Sequence, residues 1–188
     1  MSKYNVNTSE LESKLYELKA GDTVFLSGKI YTARDAAHKR FFELLDNGEP
    51  LPFDIRGATV YYAGPTPGKD GMPVGSCGPT TSGRMDKFTP RLLSLGLACM
   101  IGKGERDESV ISAMKEHGAV YLCAVGGAGA LIAETIKSAR VIAFDDLGCE
   151  SVKEMEVSGL PCVVAIDARG NSLFVSGRAE YAEQRKEA

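Results

Sequence analysis

The stretch LACMIGKGERDESVISAMKEHGAVYLCAV, residues 97–125, decides the fold class. LACMIG is a short continuous apolar run and reads as a buried strand. DESVISAMKEHG carries Asp107 and Glu108 where a helix begins and Gly118 where it stops, the polarity a helix dipole and a glycine cap favour. AVYLCAV is a second apolar run. Strand, helix and strand in this order predict parallel strands joined by a right-handed crossover. Outward from this unit, GGAGALIAETIKSA predicts a glycine turn into a helix, and RVIAFDDLG another strand. Upstream, TVFLSG and KIYTA predict two short strands. RDAAHKRFFELLDNG predicts a helix with Phe41, Leu44 and Leu45 on its apolar face and Gly48 as its stop. ATVYYAG is the next strand. A helix is expected near residues 83–95, disturbed by Pro90. Downstream, KEMEVSG and LPCVVAIDARGNSLFVSG predict three strands, the last two joined at DARGN, and RAEYAEQRKEA a terminal helix. The expectation is one α/β domain over 1–188, with a mixed sheet and room for a second small sheet.

Composition narrows the class. The 188 residues are 44% hydrophobic and 25% charged, with a net charge of −3. That balance argues against a general nucleic-acid binder, which is normally basic. No apolar run approaches the roughly 20 residues that a membrane helix needs. The opening MSKYNVNTSELESK lacks the apolar core of a signal peptide. A cytoplasmic protein is expected. The five cysteines, at 77, 99, 123, 149 and 162, are odd in number and nowhere adjacent. They suit neither a disulfide framework nor a metal cluster held by this chain alone. Cys99 and Cys123 lie in apolar runs and read as small core residues. Cys77 precedes the most polar motif of the chain, so it either faces a site or packs beneath one.

Residues 64–83, GPTPGKDGMPVGSCGPTTSG, hold six glycines and four prolines. A long loop of this kind inside a compact domain is usually functional or disordered. It ends on Thr80, Thr81 and Gly83 before Arg84. Paired hydroxyls and free amides at the start of a helix bind anions, and arginine grips a carboxylate with two parallel bonds. A helix cap followed by an exposed arginine is the equally weighted alternative. Arg34, in TARDAAHKR, falls where a strand gives way to a helix, a place where ligands collect. His38, one turn on, is more often a structural hydrogen-bonder than a catalyst. Lys103 stands between Gly102 and Gly104 at a strand end, placed to reach a small anion or to be a solvated turn.

Two nucleotide-binding patterns fail. In VGGAGALIAE the pair Gly127 and Gly129 is followed by Ile132 where a dinucleotide turn needs glycine or alanine. In GPTPGKDG three residues rather than four precede Gly68–Lys69, and Asp70 follows. Three cations and two hydroxyls suit a small dicarboxylate. No acid pair or catalytic triad accompanies them, so the site reads as half of something.

TARDAAHKR, YYAGPTP, GSCGPTTSGRMD, MIGKG and GCESVKEMEVSGLPCVVAIDARGNSLF together resemble the β part of class I, iron–sulfur-dependent fumarate hydratases and the related L-tartrate dehydratases. The resemblance runs from about Gly21 to Phe174. In that family this part is either a C-terminal domain or a separate β subunit. The resemblance implies a swivelling β/β/α fold, a hydro-lyase active only with an α subunit, and an α2β2 assembly of the tricarboxylic acid cycle. It places a [4Fe–4S] cluster on three cysteines of the α subunit, where it acts as a Lewis acid on the substrate hydroxyl. By motif, it gives Arg34, Arg84 and Lys103 to the carboxylates of a small dicarboxylate, Thr80 to the general base and Thr81 to its neighbour in the site. Gly83 and Asp86 place the chain on the fumarate side, because the tartrate enzymes carry a bulkier residue and a glutamate there. A tartrate or other hydroxy-diacid hydro-lyase, and a non-catalytic anion-binding or regulatory module on the same fold, are the competing readings.

Overall fold

The computed structural model describes residues 1–69 and 71–184. Seven strands form one mixed sheet: β1 (Lys3–Asn7), β2 (Thr23–Thr32), β3 (Thr59–Tyr61), β4 (Cys99–Gly102), β5 (Val120–Cys123), β6 (Ile136–Ala143) and β7 (Val152–Ile166). The helices are α1 (Leu11–Lys14), α2 (Asp35–Asp46), α3 (Thr89–Ser94), α4 (Glu108–His117), α5 (Gly129–Thr135) and α6 (Leu173–Gln184). Strands β1 to β5 run parallel in sequence order, while β7 is antiparallel to both β2 and β5. The pairings therefore close a ring through β2, β3, β4, β5 and β7.

Side chains of the parallel strands alternate between two cores, as period-two geometry requires. Tyr61, Cys99, Ile101, Val120 and Leu122 face the core shared with β1, β2, β7 and α5. Val60, Tyr62, Met100 and Tyr121 face the core shared with α2, α3 and α4. Burial on both faces explains why these strands are continuous apolar runs rather than alternating ones. The central strand–helix–strand unit is as predicted: α4 ends on Gly118, whose left-handed φ of 66° favours glycine.

Several local expectations are corrected. TVFLSG and KIYTA are one strand, β2. KEMEVSG and LPCVVAI are likewise one strand, β7. The two strands bend together where the register shifts beside Gly28. Pro161 is tolerated because β7 there has β2 alone for a neighbour, between the segments paired with β6 and β5. The helix expected through residue 139 ends at Thr135, and residues 136–143 join β7 as β6; tertiary pairing overrides local propensity. Phe144 closes that strand with a φ of 55°, so FDDLG is a 3-10 segment and not strand. Residues 173–177 open α6 instead of a third late strand. Pro90 lies in the first turn of α3 and starts that helix rather than disturbing it. The polar opening forms β1, which the sequence reading missed. No second sheet exists among the described residues, and residues 185–188 of the expected terminal helix lie outside them.

Candidate anion-binding site

The carboxyl ends of β2, β3 and β4 meet along one edge, and the predicted residues sit on the loops that leave them. Arg34 follows β2 closely, and the adjacent Ala33 amide donates to the Tyr61 carbonyl at 3.1 Å. Thr80 returns from the glycine–proline loop with its amide donating to the next carbonyl, Tyr62, at 2.7 Å. Thr81 forms a parallel bridge with Lys103 just past β4. The Ser82 amide then donates to the Lys103 carbonyl at 2.9 Å. Arg84 stands on the 3-10 turn Ser82–Met85. Residues distant in sequence thus share an edge because the parallel strands bring their carboxyl ends together.

The long loop between is folded, not slack. Val74 and Cys77 are buried in the core, and Pro67 pairs with Val74 across a tight excursion. The Thr66 hydroxyl accepts from the Ser76 amide at 2.7 Å. Cys77 is wholly buried and burial pushes its thiol up to about 12, so it packs beneath the site and does not face it.

The anticipated helix start is a four-residue 3-10 turn. Thr81 holds its cap position without a side-chain capping bond, so its hydroxyl is not consumed by the turn. Thr80 is half-buried, whereas Thr81, Arg84 and Lys103 are exposed. Neither Arg84 nor Lys103 makes an ion pair among the described residues. The Lys103 stem lies against the glycine turn after β5: a Cβ on Gly126 would stand 3.6 Å from its Cδ and 3.9 Å from its Nζ. Arg34 packs on Gly64, where a Cβ would come within 3.2 Å of Nη1. Its Nη2 lies 3.2 Å from Glu150 Oε1, and its Nε is buried without a partner.

His38 resolves to the structural role. Its Nδ1 lies 2.9 Å from the Arg34 carbonyl, which can only accept, so Nδ1 carries the proton. Burial among Phe41, Tyr62 and Phe88 lowers its pKa to about 4 and keeps the ring neutral. Asp86 does not reach the anion-binding edge: its Oδ1 accepts from Arg106 Nε at 2.6 Å and its Oδ2 from the Asp107 amide at 2.7 Å. Both side chains of this ion pair are buried. Among the described residues no group of three His, Cys, Asp or Glu stands together as a metal site, and Cys77, Cys99 and Cys162 are buried in the core.

Sequence reasoning missed Glu150, Ser82, Arg106 and Tyr121. No local spacing connects Glu150 to Arg34 or Tyr121 to Ser82; the only signal was that Glu150, Ser82 and neighbouring residues fall inside the quoted motifs.

The mixed α/β fold thus sets Arg84 and Lys103, without ion-pair partners among the described residues, beside Thr80 and Thr81 at the carboxyl ends of parallel strands. The chain belongs to the fumarase C-terminus family, whose profile matches residues 1–177. It is 38% identical over 167 residues to fumarate hydratase 2 of Leishmania major, covering 88% of this chain and 29% of that protein. It is equally 38% identical over 167 residues to the aerobic class I fumarate hydratase of Escherichia coli, covering 88% of this chain and 30% of the relative. It is 42% identical over 164 residues to a protein of Methanocaldococcus jannaschii provisionally named L(+)-tartrate dehydratase subunit beta, covering 84% of each. The chain thus spans under a third of the fumarate hydratases but most of the tartrate dehydratase subunit. These family names are those of hydro-lyases.

Proposed function

We propose that this chain is the β subunit of a class I fumarate hydratase and catalyses the reversible hydration of fumarate to L-malate with an α subunit. The observation that carries this reading is the edge itself: Arg84 and Lys103, without ion-pair partners among the described residues, beside Thr80 and Thr81, with Arg34 one strand away. A [4Fe–4S] cluster, in this reading, is held by the α subunit; among the described residues no group of three His, Cys, Asp or Glu stands together to hold it. The assembly is an α2β2 heterotetramer of the cytoplasm and the tricarboxylic acid cycle. No described helix is long and apolar enough to cross a membrane. Two cores on opposite faces of β3, β4 and β5 support the layered, swivelling β/β/α assignment.

In this mechanism Arg34, Arg84 and Lys103 bind the two carboxylates, and Thr81 lines the same pocket. Thr80, the more buried of the two threonines, is the base. Its alkoxide, favoured by the neighbouring cations, takes the proton from the carbon next to a carboxylate during dehydration. Charge then spreads onto that carboxylate, where the bound cations stabilise it. The C–O bond on the adjacent carbon breaks in the same dehydration, and the cluster of the α subunit would supply the Lewis acid that takes the hydroxide; in hydration Thr80 returns the proton.

The Methanocaldococcus relative, matched along 84% of its length, favours a second reading: a tartrate dehydratase β subunit using the same edge. Gly83 supports the fumarate side by residue type, since the resemblance gives the tartrate enzymes a bulkier residue there; a Cβ on it would stand 3.9 Å from Asp86 Oδ2 and from the Glu105 carbonyl. Asp86 supports it less directly, being turned into the protein. The deciding experiment is an anaerobic assay of the chain co-expressed with its α subunit, cluster reconstituted, with L-malate and L-tartrate in separate cuvettes. Fumarate from malate, only with both chains, is expected. Oxaloacetate from tartrate would move the substrate, and silence on both with an intact complex would return the chain to a non-catalytic anion-binding module.

A further inference from the structure

We infer that Ser82 and Tyr121 form a hydrogen-bonded clamp that sets the position of Lys103 and Thr81, and that both are positioning residues for the reaction proposed above, on which this inference rests. Ser82 is fully buried between the two anion-binding loops. Its Oγ accepts from the Lys103 amide at 3.1 Å and lies 2.8 Å from Tyr121 Oη. Tyr121 Oη also lies 2.9 Å from the Gly104 carbonyl. A carbonyl can only accept, and the phenol has one proton, which Tyr121 offers to one of these oxygens at a time. The Lys103 amide donates to Ser82 Oγ, and Tyr121 Oη bridges Ser82 Oγ and the Gly104 carbonyl. The chain begins and ends on consecutive residues and closes around the lysine. The backbone adds a second tie, since the Ser82 amide donates to the Lys103 carbonyl at 2.9 Å.

The surroundings are shaped to this chain. A Cβ on Gly102 would sit 1.9 Å from Ser82 Oγ, so only glycine there leaves the serine its seat. Gly104 has a φ of 82°, a conformation that side chains rarely adopt. The Tyr121 ring lies under the Arg106 guanidinium, 4.9 Å from its carbon, and Arg106 is fixed by Asp86 and by Thr89 Oγ1 at 2.8 Å. Burial raises the Tyr121 phenol, which keeps its proton available to Gly104. The free side of the clamp presents what the buried side holds still: the Lys103 ammonium and the Thr81 hydroxyl.

The test uses Tyr121→Phe, which keeps the ring against Arg106, with Ser82→Ala and the double variant, each in the complex with the α subunit. Three quantities are read: kcat and KM for malate, the denaturation midpoint, and amide hydrogen exchange in residues 80–86 and 102–107. A misplacement of about 1 Å costs up to a hundredfold in rate. Each single variant is expected to lose at least tenfold in kcat/KM, with faster exchange in both segments, and the double variant to lose little more than the worse single. A lowered midpoint with unchanged kcat and KM would overturn the positioning role and leave packing alone. Exchange as slow as wild type in Tyr121→Phe would overturn the clamp whatever the substrate. If the wild-type complex turns over neither malate nor tartrate, the function reading fails, while coupled loosening of the two segments would still uphold the clamp.

Discussion

Lys103 and Arg106 lie three residues apart on one loop and meet opposite fates. Arg106 is buried, stacked over Tyr62 and Tyr121 and bonded to Asp86 and Thr89. Lys103 is exposed and has no carboxylate partner among the described residues. The first cation is satisfied by the protein and so belongs to the architecture. The second is held in place by its backbone while its charge is left for something else. The same contrast separates Arg84, exposed and unpaired, from the solvent-facing Arg91, which pairs with Asp46. Whether a cation is tied into the architecture is decided here by whether the fold supplies its counter-charge.

Breaking each side of this contrast gives different signatures. Arg106→Leu leaves the Asp86 carboxylate buried without its partner, and equilibrium denaturation is expected to show a loss of roughly 3–5 kcal/mol. A loss under 1 kcal/mol would mean water reaches Asp86. Arg84→Ala should do the reverse: stability within about 0.5 kcal/mol of wild type, with kcat/KM for the dicarboxylate reduced roughly a hundredfold, about 3 kcal/mol of transition-state stabilisation. Near-normal turnover would remove Arg84 from the site.

His38 sharpens the contrast through pH. Its pKa falls from 6.5 to about 4 on folding because burial disfavours the charged ring. The unfolded chain therefore binds the proton first. The stability this residue contributes is complete above pH 6.5 and declines as pH falls toward 4, by up to about 3 kcal/mol at 1.36 kcal/mol per pH unit. Denaturation of His38→Asn measured from pH 7 to 4 should lose most of that slope; an unchanged slope would assign it to the carboxylates.

Glu150 tests the intermediate case, Arg34, whose guanidinium is shared between protein and rim. Glu150→Gln removes the charge that holds Nη2 and is expected to raise KM for malate about tenfold. An unaltered KM would mean that packing on Gly64 and the Asp35 carboxylate, 3.9 Å from Nη2, suffice to orient the arginine. The smallest effect belongs to Arg91→Ala on the surface, where an exposed pair is worth less than about 1 kcal/mol and activity should not change.

Legibility followed the range of the interactions. The crossover unit of β4, α4 and β5 was readable because its signals are local: apolar runs, an acidic first turn and a glycine stop. β6 was half readable: residues 140–143 were read as strand, whereas residues 136–139 continue a helical composition and become strand only by pairing with β7. The bends shared by β2 and β7 were read as breaks for the same reason. At the site, Arg34, Thr80, Thr81, Arg84 and Lys103 were picked out because strand-end and glycine-flanked positions are visible in one dimension. Glu150, Ser82, Arg106 and Tyr121 carry no such mark.

By itself the sequence determined the α/β class, the family and the residue types of the candidate site, since these depend on periodicity, composition and short motifs. Only the tertiary structure decided which charges are free. Pairing Asp86 with Arg106, seating Ser82 between Lys103 and Tyr121, and setting Glu150 against Arg34 all join residues whose neighbours in sequence say nothing of each other. A counter-charge a few ångströms away changes what a cation can do, and that proximity is created by packing, not by order along the chain.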